Sequence, residues 1–176
     1  MLLKFYNIYL KQKRHFARRR WQSRVMRHCA SFASPPNVNQ PTSVTKTTHL
    51  GHNVNFNGMV ISRGGKVTIG DNFNSSVECR MISQFHRYDD GDAIPYDTKE
   101  YIFKDIMIED NVWIGDRVIV LGGKVTIGEG AIIQADSVVV SDIPKYAIAG
   151  GHPAKVFKEQ RDIEHYERLK KQGKVH

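Results

Sequence analysis

His86 is the side chain whose type and position best suit chemistry. It closes the regular apolar stretch that ends around Met81, and it opens a polar, acid-rich run from Arg87 to Lys104. That run holds Asp89, Asp90, Gly91, Asp92, Pro95, Asp97 and Glu100. A histidine at such a boundary has accessible surface beside it. A neutral imidazole near pH 7 is the natural base for removing a hydroxyl proton. By position alone, an exposed loop histidine without a role is the plainer reading. Asp89 is placed to orient the imidazole, or simply belongs to a solvated charged loop. His49, His52 and His152 suggest packing or exposure only. A catalytic zinc site needs three converging histidines and an open fourth position. After His86 the next histidine is His152, so the local pair is missing and no metal is expected.

The element that must carry His86 shows itself in a six-residue beat. Ile108, Ile114 and Val120 are six apart, and after one extra residue the beat resumes at Ile127, Ile133 and Val139. Val112, Val118, Ala131, Ser137 and Ile143 follow four places after most of these. A looser version runs upstream through Val44, Leu50, Phe56, Ile69, Ser75 and Met81. A helix cannot keep a six-residue period on one face, because its period is 3.6. A triangular coil of short parallel strands can, with one inward residue per side. Gly64-Gly65-Lys66-Val67-Thr68-Ile69-Gly70 recurs as Gly122-Gly123-Lys124-Val125-Thr126-Ile127-Gly128. The beat slips by one residue at each copy, so each Gly-Gly-Lys reads as a bulged corner.

At 176 residues the default is one domain, and 40% hydrophobic with 25% charged residues is an ordinary globular balance. The net charge of +8 is concentrated: residues 1–30 carry nine Lys and Arg and no acid, leaving 17 cations against 18 acids in the rest. Residues 1–33 read as a basic helical arm with Leu3, Tyr6, Tyr9, Leu10, Phe16, Trp21, Val25 and Met26 at roughly helical spacing. Such an arm suits an anionic membrane surface, or packs on the neighbouring coil or subunit. Nucleic acid is not expected, because the body offers no basic face to extend the contact. No apolar run approaches the roughly 18 residues that cross a bilayer. Lys4 and Asn7 make the opening segment a poor signal peptide. Cys29 and Cys79 give neither a disulfide framework nor metal spacing, which points to a reducing, cytoplasmic setting, peripheral to the membrane if the arm binds it. The expected organisation is an arm and linker over 1–36, stopped by Ser34-Pro35-Pro36-Asn37, a coil domain over 37–155 with an extruded loop at 87–104, and a helical cap over 156–176.

Several runs together resemble the hexapeptide-repeat O-acetyltransferases, such as the galactoside and maltose enzymes and the capsule or lipopolysaccharide O-acetyltransferases of bacteria. They are Ile69-Gly70-Asp71-Asn72 through His86, Asn111-Val112-Trp113-Ile114-Gly115, Ser137-Val138-Val139 and Asp142-Ile143-Pro144. The resemblance covers roughly residues 50–170. It implies an all-β, left-handed parallel β-helix, against the usual right-handed crossover. It implies a homotrimer with active sites between subunits, acetyl-CoA as donor, and a saccharide hydroxyl as acceptor. The family's catalytic histidine falls on His86. Asn55 matches an Asn that helps the acceptor or the intermediate, though an Asn capping a corner is an equal reading. Trp113 matches a wall of the CoA groove, Gly115-Asp116 lies where backbone N–H groups would hold an oxyanion, and Ala135 matches a small residue beside the pantetheine. Lys155 matches a cation near the CoA phosphates. The family's usual Thr-Lys before Asp-Ile-Pro is Val140-Ser141 here, Asp116 and Asp136 replace small residues, and Gly64 or Gly65 stands where galactoside-type enzymes carry an acceptor-binding Asp. Three other readings remain open on the sequence: N-acetylation of an amino sugar, a γ-carbonic-anhydrase-like metal enzyme, and a non-catalytic β-helical trimer.

Overall fold

A six-residue period requires three short sides per turn, and the computed structural model, which describes residues 2–62 and 64–175 with side chains from Phe5 onward, has three. Met1 and the side chains of Leu3 and Lys4, counted above in the basic arm, lie outside the described residues. Face A is the parallel stack Ser31–Phe32, Thr48–Leu50, Val67–Ile69, Ile106–Ile108 and Val125–Ile127. Face B stacks Asn37–Val38, Asn55–Phe56, Asn74–Ser75, Trp113–Ile114, Ile132–Ile133 and Ile148–Gly151 in parallel. Face C stacks Met59–Ile61, Cys79–Ile82, Ile119–Leu121 and Val138–Val139. The chain passes A to B to C on every turn, which makes it a parallel β-solenoid with an N-terminal and a short C-terminal helix.

The beat read from the sequence is the inward set. Phe56, Ile108, Ile114, Val120, Ile127 and Val139 are fully buried, and Val112, Val118, Ala131 and Ile143 fill the corners between them. Ser75 and Ser137 are buried too, so small polar residues hold places in the same stacks. Phe56 and Phe73 meet edge-on at 6.0 Å between centroids.

Many corners use a residue with positive φ, and asparagine tolerates that better than most. At the A–B edge Asn53, Asn72 and Asn111 take φ of 51°, 55° and 58°. Their side chains stack as a ladder, Asn53 Nδ2 donating to Asn72 Oδ1 and Asn72 Nδ2 to Asn111 Oδ1, both at 3.0 Å. The aspartates one place earlier serve the same edge: Asp71 Oδ1 accepts from His52 N and Asp110 Oδ1 from Asp71 N. Both Gly-Gly-Lys copies lie at the C–A edge, on either side of the turn that holds Ile106–Ile108. The residue with positive φ differs, Gly64 at +119° in one copy and Lys124 at +64° in the other.

Three boundaries differ from the sequence expectation. Helix α1 spans Leu2–His28, and Ser31–Phe32 already pairs with His49–Leu50. The solenoid thus begins inside the expected 1–36 arm, and Ser34-Pro35-Pro36 is a corner of the first turn rather than a linker. Trp21 and Val25 seat the end of α1 on the core, and Lys46 Nζ donates to Arg27 O at 2.6 Å. Second, the expected 87–104 loop is largely a β-hairpin, Gln84–Arg87 paired antiparallel with Asp97–Phe103. Its low apolar content masked the pairing, since neither strand faces the core. Third, the expected 156–176 cap is divided. The strand Ala154–Lys158 folds back on Ile148–Gly151 and covers the edge of face B. Helix α2, Ile163–Lys171, buries no residue fully and lies beside the solenoid.

Candidate active site

The hairpin leaves the solenoid after face C and rejoins it on face A, so it projects from the C–A edge. His86, half-buried, lies on its first strand, opposite Tyr101. Its Nδ1 is 3.1 Å from the backbone carbonyl of Asp97. A carbonyl only accepts, so Nδ1 carries the proton and Nε2 keeps its lone pair, the tautomer a general base needs. The ring stacks on Tyr96 at 4.2 Å and meets Tyr101 at 4.8 Å, a sandwich that limits its rotation. Asp89 does not orient His86; Asp97 does, through its main chain. The Asp97 carboxylate is buried and accepts from the backbone N–H groups of Lys99, Asp92 and Glu100. The Lys99 and Asp92 bonds hold its pKa below the ordinary carboxylate value. Arg87 ties the two strands, meeting Asp90 at 2.9 Å and Glu100 at 3.1 Å.

Most of the other sequence candidates gather on face B and its edges. The outward residues along face B are Asn37, Asn55, Asn74, Trp113, Ile132 and Ile148, in that order of register. Strand spacing of about 4.8 Å puts Asn55 and Trp113 roughly 10 Å apart across Asn74. The stripe is polar at one end and apolar at the other. Asn55 Oδ1 accepts from Asn39 Nδ2 at 3.0 Å, and Asn57 Oδ1 accepts from the same group. Trp113 is 50% exposed and lines a cleft of about 560 Å3 between face B and α2, with Ile132, Arg161, Tyr166 and Lys170 among its walls. Gly115 and Ala135 stack at the B–C edge, where a Cβ on Gly115 would lie 2.6 Å from Ala135 N. The Gly115 N–H donates to Ile133 O at 2.8 Å, so this expected oxyanion donor is committed to the solenoid. Lys155 is exposed, opposite Gly150 in the terminal hairpin.

His86 and the face B residues are not brought together within one chain. In a three-sided solenoid the C–A edge is the one that face B does not touch. His49 lies on face A, bonded to Ser31 Oγ at 2.9 Å, and His152 lies in the turn before Ala154. No group of three or more His, Cys, Asp or Glu side chains suited to a metal occurs among the described residues.

Sequence reasoning missed the groups that hold α2. Tyr166 Oη donates to Glu129 Oε1 at 3.3 Å, Lys170 pairs with the same carboxylate, and Arg161 donates to Gly130 O at 3.2 Å. Burial pushes the Glu129 carboxyl up, but the Lys170 bond and its neighbours outweigh that and hold it low. It also missed Tyr96, Asp97 and Tyr101; three tyrosines in an otherwise acidic stretch, Tyr88 with these two, were the available signal.

No family profile matches the chain. Galactoside O-acetyltransferase of Escherichia coli is 36% identical over 121 residues, which is 67% of this chain and 57% of that protein. The crystal structure of a hexapeptide-repeat acetyltransferase from Vibrio cholerae, complexed with acetyl-CoA, shares 31% identity at a TM-score of 0.57, over 77% of this chain and 69% of that one. A maltose O-acetyltransferase from Clostridium difficile shares 28% at a TM-score of 0.59, over 75% and 67%. The chain spans 26% to 57% of the length of the curated relatives it matches.

Proposed function

The chain belongs to the hexapeptide-repeat acetyltransferases, and from that premise we propose that it moves an acetyl group from acetyl-CoA to a hydroxyl of a saccharide, with His86 as general base. The observation that carries the reading is the 3.1 Å contact of His86 Nδ1 with the Asp97 carbonyl, which accepts a hydrogen bond from Nδ1–H and so leaves Nε2 of the neutral ring free. Nε2 accepts the proton of the acceptor hydroxyl as its oxygen attacks the thioester carbonyl. The tetrahedral intermediate collapses, the C–S bond breaks, and the imidazolium returns the proton to the CoA thiolate.

Face B fits the donor. Trp113 and Ile132 offer an apolar wall for the pantetheine arm, and Arg161, Lys170 and Lys174 line the same cleft with charge for phosphates. Ala135 at the B–C edge leaves room for the arm, and Lys155 adds a further exposed cation. Asn55, at the polar end of the stripe, suits an acceptor hydroxyl, although Asn39 already occupies its oxygen. Because His86 stands on the edge opposite face B, a working site takes His86 from one subunit and face B from a neighbour. A shared site does not fix the number of copies; that comes from the family resemblance, on which we read the assembly as a homotrimer. Two unpaired, buried cysteines suit a cytoplasmic setting, where the donor is made.

Calorimetric titration with acetyl-CoA, run in parallel on the protein and on His86→Ala, tests the reading without knowledge of the acceptor. Saturable binding near one site per subunit, retained in the variant, is expected. Absence of binding at millimolar donor would remove the transferase assignment. Thiol release against a panel of sugars and amino sugars then separates O- from N-acetylation.

A further inference from the structure

We propose that α1 docks the protein on an anionic lipid surface through the side turned away from the solenoid, an inference independent of the acetyl-transfer reading. The helix carries cations all round, and its apolar side chains divide between a line packed on the solenoid and a line left exposed. Trp21 and Val25, four residues apart, face the core, and Val25 is 1% exposed. Leu10 and Ala17, both half-buried, continue that line towards the N-terminus. Phe5, Tyr9 and Phe16 follow one another at steps of four and seven residues, so they share a line of their own. At about 100° per residue that line is roughly opposite the Trp21–Val25 line. Their exposures are 66%, 58% and 65%, so the rest of the chain leaves these rings largely uncovered. Lys13, Arg20 and Arg27, all exposed, fall on the same side.

Aromatic rings at the head-group level and cations facing anionic lipid are the two contributions that hold an interfacial helix. Residues 1–30 contain nine cations and no acid, so two copies of this face would repel one another. The remaining chain has slightly more acids than cations, and offers nucleic acid no basic track beyond the helix. No described helix is apolar enough over 18 residues to cross a bilayer, so α1 lies along the surface. Bound this way, it would set the solenoid with its first turn towards the membrane.

The test uses the full chain in co-sedimentation with phosphatidylcholine vesicles, with and without phosphatidylglycerol. The protein is expected to pellet with the anionic vesicles only, and less at high salt. Two variants are compared, Phe5→Ser/Tyr9→Ser/Phe16→Ser and Lys13→Glu/Arg20→Glu, each checked for retained structure by circular dichroism. Each is expected to bind anionic vesicles at least about tenfold more weakly. The proposal fails if the parent protein ignores anionic vesicles, if it binds neutral ones equally, or if both variants bind like the parent. It also fails if either variant changes the oligomeric mass in solution, which would make the face a contact between copies. Tighter binding to duplex DNA than to vesicles would assign the face to nucleic acid instead.

Discussion

In the proposed reaction the two ring nitrogens of His86 have separate tasks: Nδ1 is bonded to the Asp97 carbonyl, and Nε2 is the one left for an acceptor. Replacing the ring with His86→Gln should lower turnover by about 10²- to 10⁴-fold and leave acetyl-CoA affinity unchanged by calorimetry. An equal loss of donor binding would instead place His86 in the donor pocket. Tyr96 and Tyr101 act through the ring they sandwich. Tyr96→Leu with Tyr101→Leu should lower kcat more than it raises the donor KM. An equal effect on both, with a lower melting temperature, would mean that the tyrosines only stabilise the hairpin. His86 stood out in the sequence because it falls where the apolar beat stops, but position alone favoured an exposed loop histidine, and only the family resemblance gave it a role. Asp97 was not, because it acts through a carbonyl that every residue possesses, and only the hairpin register brings it to the ring. Asn55 was singled out only by its match to a family motif, and the sequence did not disclose that Asn39 would take its oxygen. Cys79 is buried, with its thiol pushed up to about 11 by burial. Native protein should therefore resist alkylation there, and denatured protein should react; rapid labelling in the native state would contradict this placement.

At the scale of elements, the solenoid was legible because its period excludes a helix and fits three sides per turn. Its hand was not legible from the period, which is the same for either sense; only the resemblance to a family supplied it. The hairpin was missed, and the expected C-terminal helix was given bounds that were too wide, for one reason: neither element faces the core, so the apolar pattern that reveals the other strands is missing. What holds α2 is a carboxylate instead. Glu129 has a native pKa below its ordinary value, chiefly because the Lys170 bond and its neighbours outweigh burial. A depressed carboxylate contributes stability that is present above the ordinary value of about 4.3. That contribution is lost as pH falls through the lower native value. The docking of α2 should thus loosen in acid, below about pH 4. Protease cleavage within 163–171 should accelerate there, and Glu129→Gln should reproduce the effect at neutral pH. Cleavage rates in the variant that match the parent at pH 7 would show that Tyr166 and Arg161 suffice.

For the whole molecule, the decisive fact is that His86 projects from the edge opposite face B. A site shared between copies predicts complementation. His86→Ala removes the base and keeps face B; Trp113→Asp spoils the apolar wall and keeps the base. Each variant alone should be nearly inactive. When the two are unfolded, mixed in equal amounts and refolded together, random assembly places an intact His86 opposite an intact Trp113 at about one interface in four. Activity should return to roughly a quarter of the parent value, provided that subunits exchange. Mixing without refolding should give no recovery, because the assemblies are already closed. If His86 and Trp113 served the same site within one chain, every subunit of the mixture would lack one of them, and refolding would restore nothing. The size of the recovery, read with whichever acceptor supports turnover in the parent, thus reports the geometry of the site directly.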